Sequence, residues 1–133
     1  MLDLIFMFLI TFGVFMVIDL IWLGLIAKNI YQKYLGHLMK ENVNWPAAII
    51  FYCIFIVGLL FFVIDPALQK ESVGYAVLAG GGFGIITYAT YDLTNLATLK
   101  EWPIIVTVID LIWGTVLSGS TAGISFVIIN YLL

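Results

Sequence analysis

LIFMFLITFGVFMVIDLIWLGLIA, residues Leu4–Ala27, is an apolar run broken by a single charge, Asp19. About 20 apolar residues in a helix cross the roughly 30 Å of bilayer hydrocarbon, so this stretch alone predicts a membrane-spanning helix. Three further runs of similar character follow. They cover about 46–64, opening at Trp45-Pro46, then 73–99, then 103–132, opening at Trp102-Pro103. A proline in the first helical turn removes an N–H that would have no partner there anyway. Trp45 and Trp102 read as anchors at the membrane–water interface, and Asp65-Pro66 as the turn after the second span.

The whole composition agrees. Of 133 residues, 64% are hydrophobic and 10% charged, with mean hydropathy +1.18. A small soluble domain cannot hide that much apolar surface. Residues 1–133 therefore read as a single integral membrane domain, an all-α polytopic bundle of four transmembrane helices. The first span carries no basic start, so it is expected to be retained rather than cleaved as a signal peptide. All five basic residues are lysines, and they form no patch. The expected partner is thus the lipid bilayer and not nucleic acid.

Segment 28–44 differs from the spans. Ile30, Tyr31, Tyr34, Leu35, Leu38 and Met39 recur at helical spacing, with Lys28, Gln32, Lys33, His37, Lys40 and Glu41 on the other face. It reads as an amphipathic interfacial helix, or a polar extension of the first span. Lys28, Lys33 and Lys40 in loop 1 and Lys100 in loop 3 face Lys70 alone in loop 2. The positive-inside tendency then places loops 1 and 3 in the cytoplasm and both termini outside.

VIDLIW occurs twice, at Val17–Trp22 and Val108–Trp113, on spans that run in opposite directions. Asp19, Asp92 and Asp110 each fall roughly 10–14 Å from the helix ends at loops 1 and 3, at about 1.5 Å per residue. A charged aspartate in mid-span costs about 2.5–3.5 kcal/mol, so three cost on the order of 8–10 kcal/mol if uncompensated. No lysine or arginine lies inside a span to offset them. The acids must be protonated, share protons, face water or bind a cation, and a divalent metal could sit at Asp19, Asp92 and Asp110.

Neighbouring residues extend the site. Tyr88, Asp92 and Asn95 share a helix face, with Tyr91 beside them; Thr107, Asp110, Gly114, Ser118, Thr121 and Ser125 form a small, polar stripe. Trp22 and Trp113 could wall the acids or donate indole N–H bonds to them. The run Gly80–Gly84 follows no strand and precedes no Lys-Ser/Thr, so it predicts close helix packing rather than a phosphate loop. His37 and Cys53 are each the single residue of their kind, and no nucleophile–base arrangement is visible. No cofactor is evident.

Taken together, Val17–Trp22, the stretch Tyr88-Ala89-Thr90-Tyr91-Asp92-Leu93-Thr94-Asn95, Glu101-Trp102-Pro103 and Asp110-Leu111-Ile112-Trp113-Gly114 resemble a bacterial family of small predicted four-helix membrane proteins, catalogued only as a domain of unknown function. The resemblance covers essentially the whole chain. It implies a multi-pass protein of the bacterial inner membrane and brings no activity with it. The acids themselves suggest a transporter or channel for protons, cations or a small cationic solute. Four helices are few for alternating access, which favours a homodimer. A membrane enzyme acting on a lipid or isoprenoid, and an accessory or assembly subunit, are the alternatives; the chain reads more readily as a non-enzyme.

Overall fold

The computed structural model describes residues 2–39 and 42–133. Among them there is no strand, and four helices are long and apolar enough to cross a membrane: α1 (Leu2–Ile26), α3 (Trp45–Lys70), α4 (Val73–Thr98) and α5 (Ile104–Leu132). A short helix, α2 (Lys28–Leu35), lies between the first two spans. The chain is therefore an all-α membrane bundle. With four spans, loops 1 and 3 share one end of it.

Helix boundaries follow local chemistry. Asn44 caps α3 by accepting the Ala47 N–H at 3.2 Å, with Pro46 in the first turn. Ser72 caps α4 by accepting the Tyr75 N–H at 3.0 Å. Such caps satisfy amide donors that have no intrahelical partner.

The expected turn at Asp65-Pro66 is corrected. α3 continues through both residues to Lys70. Leu60–Ile64 form a π turn, closed by the Asp65 N–H on the Leu60 carbonyl. Widening the ladder just before Pro66 accommodates its missing N–H and its ring. The chain reverses instead at Glu71, whose φ of 52° is left-handed, the usual conformation for ending a helix. The second span is thus longer than 46–64.

The interfacial segment 28–44 is corrected in extent. Only Lys28–Leu35 is α-helical, followed by a short 3-10 turn at Gly36–Leu38, and Lys40 and Glu41 lie outside the described residues. A π turn at Trp22–Ile26, closed by Ala27 N–H on Trp22 O at 2.8 Å, redirects the chain into α2.

α4 and α5 form the tightest pair, and glycine sets their approach. A β-carbon on Gly80 would stand 2.7 Å from Ala122 Cβ and 2.8 Å from the Ser118 carbonyl, and one on Gly84 would overlap the Gly114 carbonyl outright. A β-carbon on Gly114 would collide with the Tyr88 side chain, 2.4 Å from its Cγ. Each step of four along α4 is thus met by a step of four back along α5. The next step brings Asp92 to Asp110. Small residues at this spacing let membrane helices pack backbone to backbone. The expectation of close packing by the Gly80–Gly84 run holds for Gly80, Gly81 and Gly84; Gly82 faces open space.

α1 packs against α5 and α3. Phe15 is buried there, with its ring 5.8 Å from Tyr52 and 5.2 Å from Phe55. Outside, residues such as Leu20, Ile54, Leu78, Ile86 and Ile112 are exposed, the apolar jacket expected of a bundle in lipid.

Candidate functional site

Four helices converge on the acid region. α1 supplies Asp19 and Trp22, α5 supplies Asp110 and Trp113, α4 supplies Tyr88, Tyr91 and Asp92, and α2 supplies Tyr31. The two VIDLIW copies meet through their tryptophans, which stack with ring centroids 4.4 Å apart and planes 10° from parallel. Each tryptophan follows its acid by three residues, about 4.5 Å of axial rise. Because the helices are antiparallel, the acids lie on opposite sides of the indole pair. Asp110 is toward the loop 1/loop 3 end and Asp19 is deeper.

The acids therefore divide into a pair and a single carboxyl. Asp92 is fully buried, and neither of its oxygens has a protein donor. Its carboxyl adjoins that of Asp110. Asp110 accepts the Tyr31 hydroxyl at 2.5 Å, and the Trp22 indole N–H reaches the same hydroxyl at 3.4 Å. Burial, and then the Asp110 carboxylate that accepts its proton, hold the Tyr31 phenol well above the ordinary tyrosine range. Asp19 is buried next to the Trp113 indole N–H, which stays just outside hydrogen-bond geometry. Tyr88 is within electrostatic reach of Asp19, Asp110 and Asp92. Among the described residues, no three His, Cys, Asp or Glu side chains are placed to hold a metal ion.

Asn95 lies one turn from Tyr91, within reach of its hydroxyl. Tyr91 is edge-on to Trp102 at 5.7 Å. The interfacial role expected of Trp102 is corrected: it is 9% exposed and donates its indole N–H to Thr107 Oγ1 at 3.1 Å. Trp45, at 63% exposed, is free to act as an anchor. His37 meets Glu101 across loops 1 and 3 at 3.1 Å.

Sequence reasoning missed two site residues, Tyr31 and Tyr52. In the sequence pattern Tyr31 falls on the apolar face of segment 28–44. Tyr52, which lies within electrostatic reach of Asp19, falls seven residues after Trp45. At about 1.5 Å per residue that is about 10 Å from the helix start, in the same region as the acids.

The hydroxyls sort by position. On α4 and α5 the outward Thr87, Thr90, Thr94, Thr98, Thr115 and Ser120 all bond back to carbonyls of their own helix, at 2.5–3.2 Å. The fully buried Thr11, Ser118, Thr121 and Ser125 have no protein partner. Thr11 precedes Asp19 by eight residues and Ser118 follows Asp110 by eight, so these hydroxyls lie about 12 Å farther along their helices, away from loops 1 and 3.

Fold and site together define a small polytopic α-helical membrane protein with a carboxyl-rich, base-free interior. The chain belongs to a family of predicted membrane proteins, DUF2177, whose family model matches residues 4–127. No curated protein and no solved structure matches the chain.

Proposed function

We propose that this protein is a small transporter or channel-like protein whose interior acids take up a proton or a small cationic solute. The observation that carries the reading is Asp92, fully buried with both oxygens unpartnered, beside the second carboxyl of Asp110. Two adjacent carboxyls in an apolar interior require positive charge between them, and a proton or a cationic group supplies it. Among the described residues the only ion-pair contact is His37 with Glu101, so none of the described lysines neutralises the acids. A shared proton needs only two carboxyls, which makes it a better occupant than a divalent ion needing several oxygen ligands.

The unpartnered hydroxyls of Thr11, Ser118, Thr121 and Ser125 favour movement of protons over mere storage, because they continue the polar seam beyond the acids. The lysine bias supports loops 1 and 3 on the cytoplasmic face of a bacterial inner membrane, with both termini outside. A homodimer would give the second wall that alternating access needs.

The test is flux. Purified protein in liposomes with an entrapped pH dye should pass protons, or exchange protons for a small amine, under an imposed gradient. Asp92→Asn and Asp110→Asn should lose that flux. Native proteoliposomes as tight as empty ones under every gradient would overturn the proposal.

A further inference from the structure

We infer that the preferred ligand of this site is a cationic amphiphile, an amine carrying a hydrocarbon chain, and that it enters sideways from the bilayer between α3 and α4. This inference rests on the reading of the acids as a cation or proton site and names the ligand class.

From the loop end, the acids are covered. The Tyr31 hydroxyl is bonded to Asp110, and the stacked Trp22 and Trp113 rings lie between Asp110 and Asp19. From the side, a cleft in the bundle wall reaches Tyr88, which is within electrostatic reach of all three acids. α3 packs on α4 through its Leu60–Ile64 turn and through Phe55, whose ring is edge-on to Phe83 at 5.3 Å, while the turns before Phe55 make little backbone contact with that helix. The helices part there, and a cleft of about 330 Å³ opens, lined by Phe51, Thr87, Tyr88 and Tyr91. Phe51 and Tyr91 are exposed at its rim.

The lining specifies the chain end of the guest. Thr87 turns its hydroxyl back onto the Phe83 and Gly84 carbonyls, at 3.0 and 3.2 Å, so it offers the cleft no free donor. What remains is largely aromatic and apolar wall, suited to hydrocarbon. The acids specify the head. Tyr88 forms part of the cleft wall, and the same residue is within electrostatic reach of Asp19, Asp92 and Asp110. A chain lying against Tyr88 puts a head group at its tip next to carboxyls that have no basic partner. A protonated amine meets that charge, and the surrounding tyrosine and tryptophan faces add cation–π attraction. The carboxyl of Asp92, fully buried with both oxygens free, is the acceptor such a head group would find.

The experiment uses the full chain in nanodiscs of a zwitterionic phospholipid and reads the thermal unfolding midpoint. The probes are dodecylamine, methylamine, dodecanol and a shift to low pH. Dodecylamine should raise the midpoint by several degrees, more than methylamine or dodecanol does, and Asp92→Asn should lose the effect. A variant that fills the cleft, Phe51→Trp with Thr87→Leu, should keep the response to low pH and methylamine and lose the advantage of the long chain. Dodecylamine no better than methylamine, dodecanol equal to dodecylamine, or an unchanged response in the filled cleft would overturn lateral entry while leaving the acid site standing. A native protein that ignores low pH and both amines would overturn the acid site as well.

Discussion

Replacing Gly84 by alanine puts a methyl group where α4 and α5 are in backbone contact. The new carbon would overlap the Gly114 carbonyl and crowd Ser118 Cβ at 2.8 Å. An extra methyl forced into a packed contact costs about 1–3 kcal/mol. Here the obstructing atoms are main chain and cannot rotate away, so the cost belongs at the upper end. Alanine recovers about 1 kcal/mol of helix propensity. The net loss should be about 2 kcal/mol. Gly82→Ala is the internal control: its β-carbon would meet nothing within 4 Å, so only the propensity gain of up to about 1 kcal/mol remains. Unfolding of both variants in detergent, by heat or by titration with a denaturing detergent, separates them. Gly84→Ala should also weaken any proton- or amine-induced stabilisation, because pushing the helices apart moves Asp92 away from Asp110. Equal stability of the two variants would refute the register derived for α4 and α5.

Three further outcomes are expected. Tyr31→Phe removes the hydroxyl that Asp110 accepts and should cost about 1 kcal/mol. Because the folded state holds that phenol neutral, its contribution to stability should stay level up to the ordinary tyrosine range and then fall as pH rises, as the unfolded chain ionises first; an unchanged alkaline slope in Tyr31→Phe would contradict this. Thr121→Val replaces a buried hydroxyl without a protein partner by a methyl of the same shape and should raise the unfolding midpoint, a gain of about 1 kcal/mol. Thr115→Val, whose hydroxyl bonds the Leu111 carbonyl at 2.8 Å, should bring no gain, so equal effects would argue against the distinction between buried and outward hydroxyls. Finally, His37→Cys with Glu101→Cys, in a Cys53→Ser background, should be joined within one chain by a short bis-maleimide, since the native pair is 3.1 Å apart. Failure to cross-link would show that loops 1 and 3 do not meet.

The spans were legible because apolar length is a strong signal and lipid imposes it. The misread end of α3 shows where that signal weakens. A proline ends many helices, but a π turn at Leu60–Ile64 absorbed this one. Both halves of the α4–α5 contact were visible in the sequence: the glycine run with Tyr88 and Asp92, and the small, polar stripe from Asp110 to Ser125. Their register was not visible, because helix rotation comes from packing and not from depth. For the same reason the acids could be assigned a common region, while the pairing of Asp92 with Asp110 and the separation of Asp19 required coordinates. Tyr31 was hidden by a different ambiguity. A tyrosine on an amphipathic helix counts as apolar until something accepts its hydroxyl, and here the acceptor lies 79 residues away.

The central claim is that Asp92 and Asp110, with Asp19 nearby, form one site for a proton or a cationic group. A ligand that binds the folded state stabilises it by mass action, about 2.7 kcal/mol at a hundred times its dissociation constant. The most direct measurement is therefore thermal unfolding of the purified protein across pH and a panel of amines and metal cations, run beside Asp19→Asn, Asp92→Asn and Asp110→Asn. The account predicts that low pH or an amine raises the native midpoint and that Asp92→Asn and Asp110→Asn lose this response, with a smaller loss in Asp19→Asn. If the native midpoint ignores every condition and the three variants are as stable as the native protein or more so, the acids are neutral packing elements and the account is wrong.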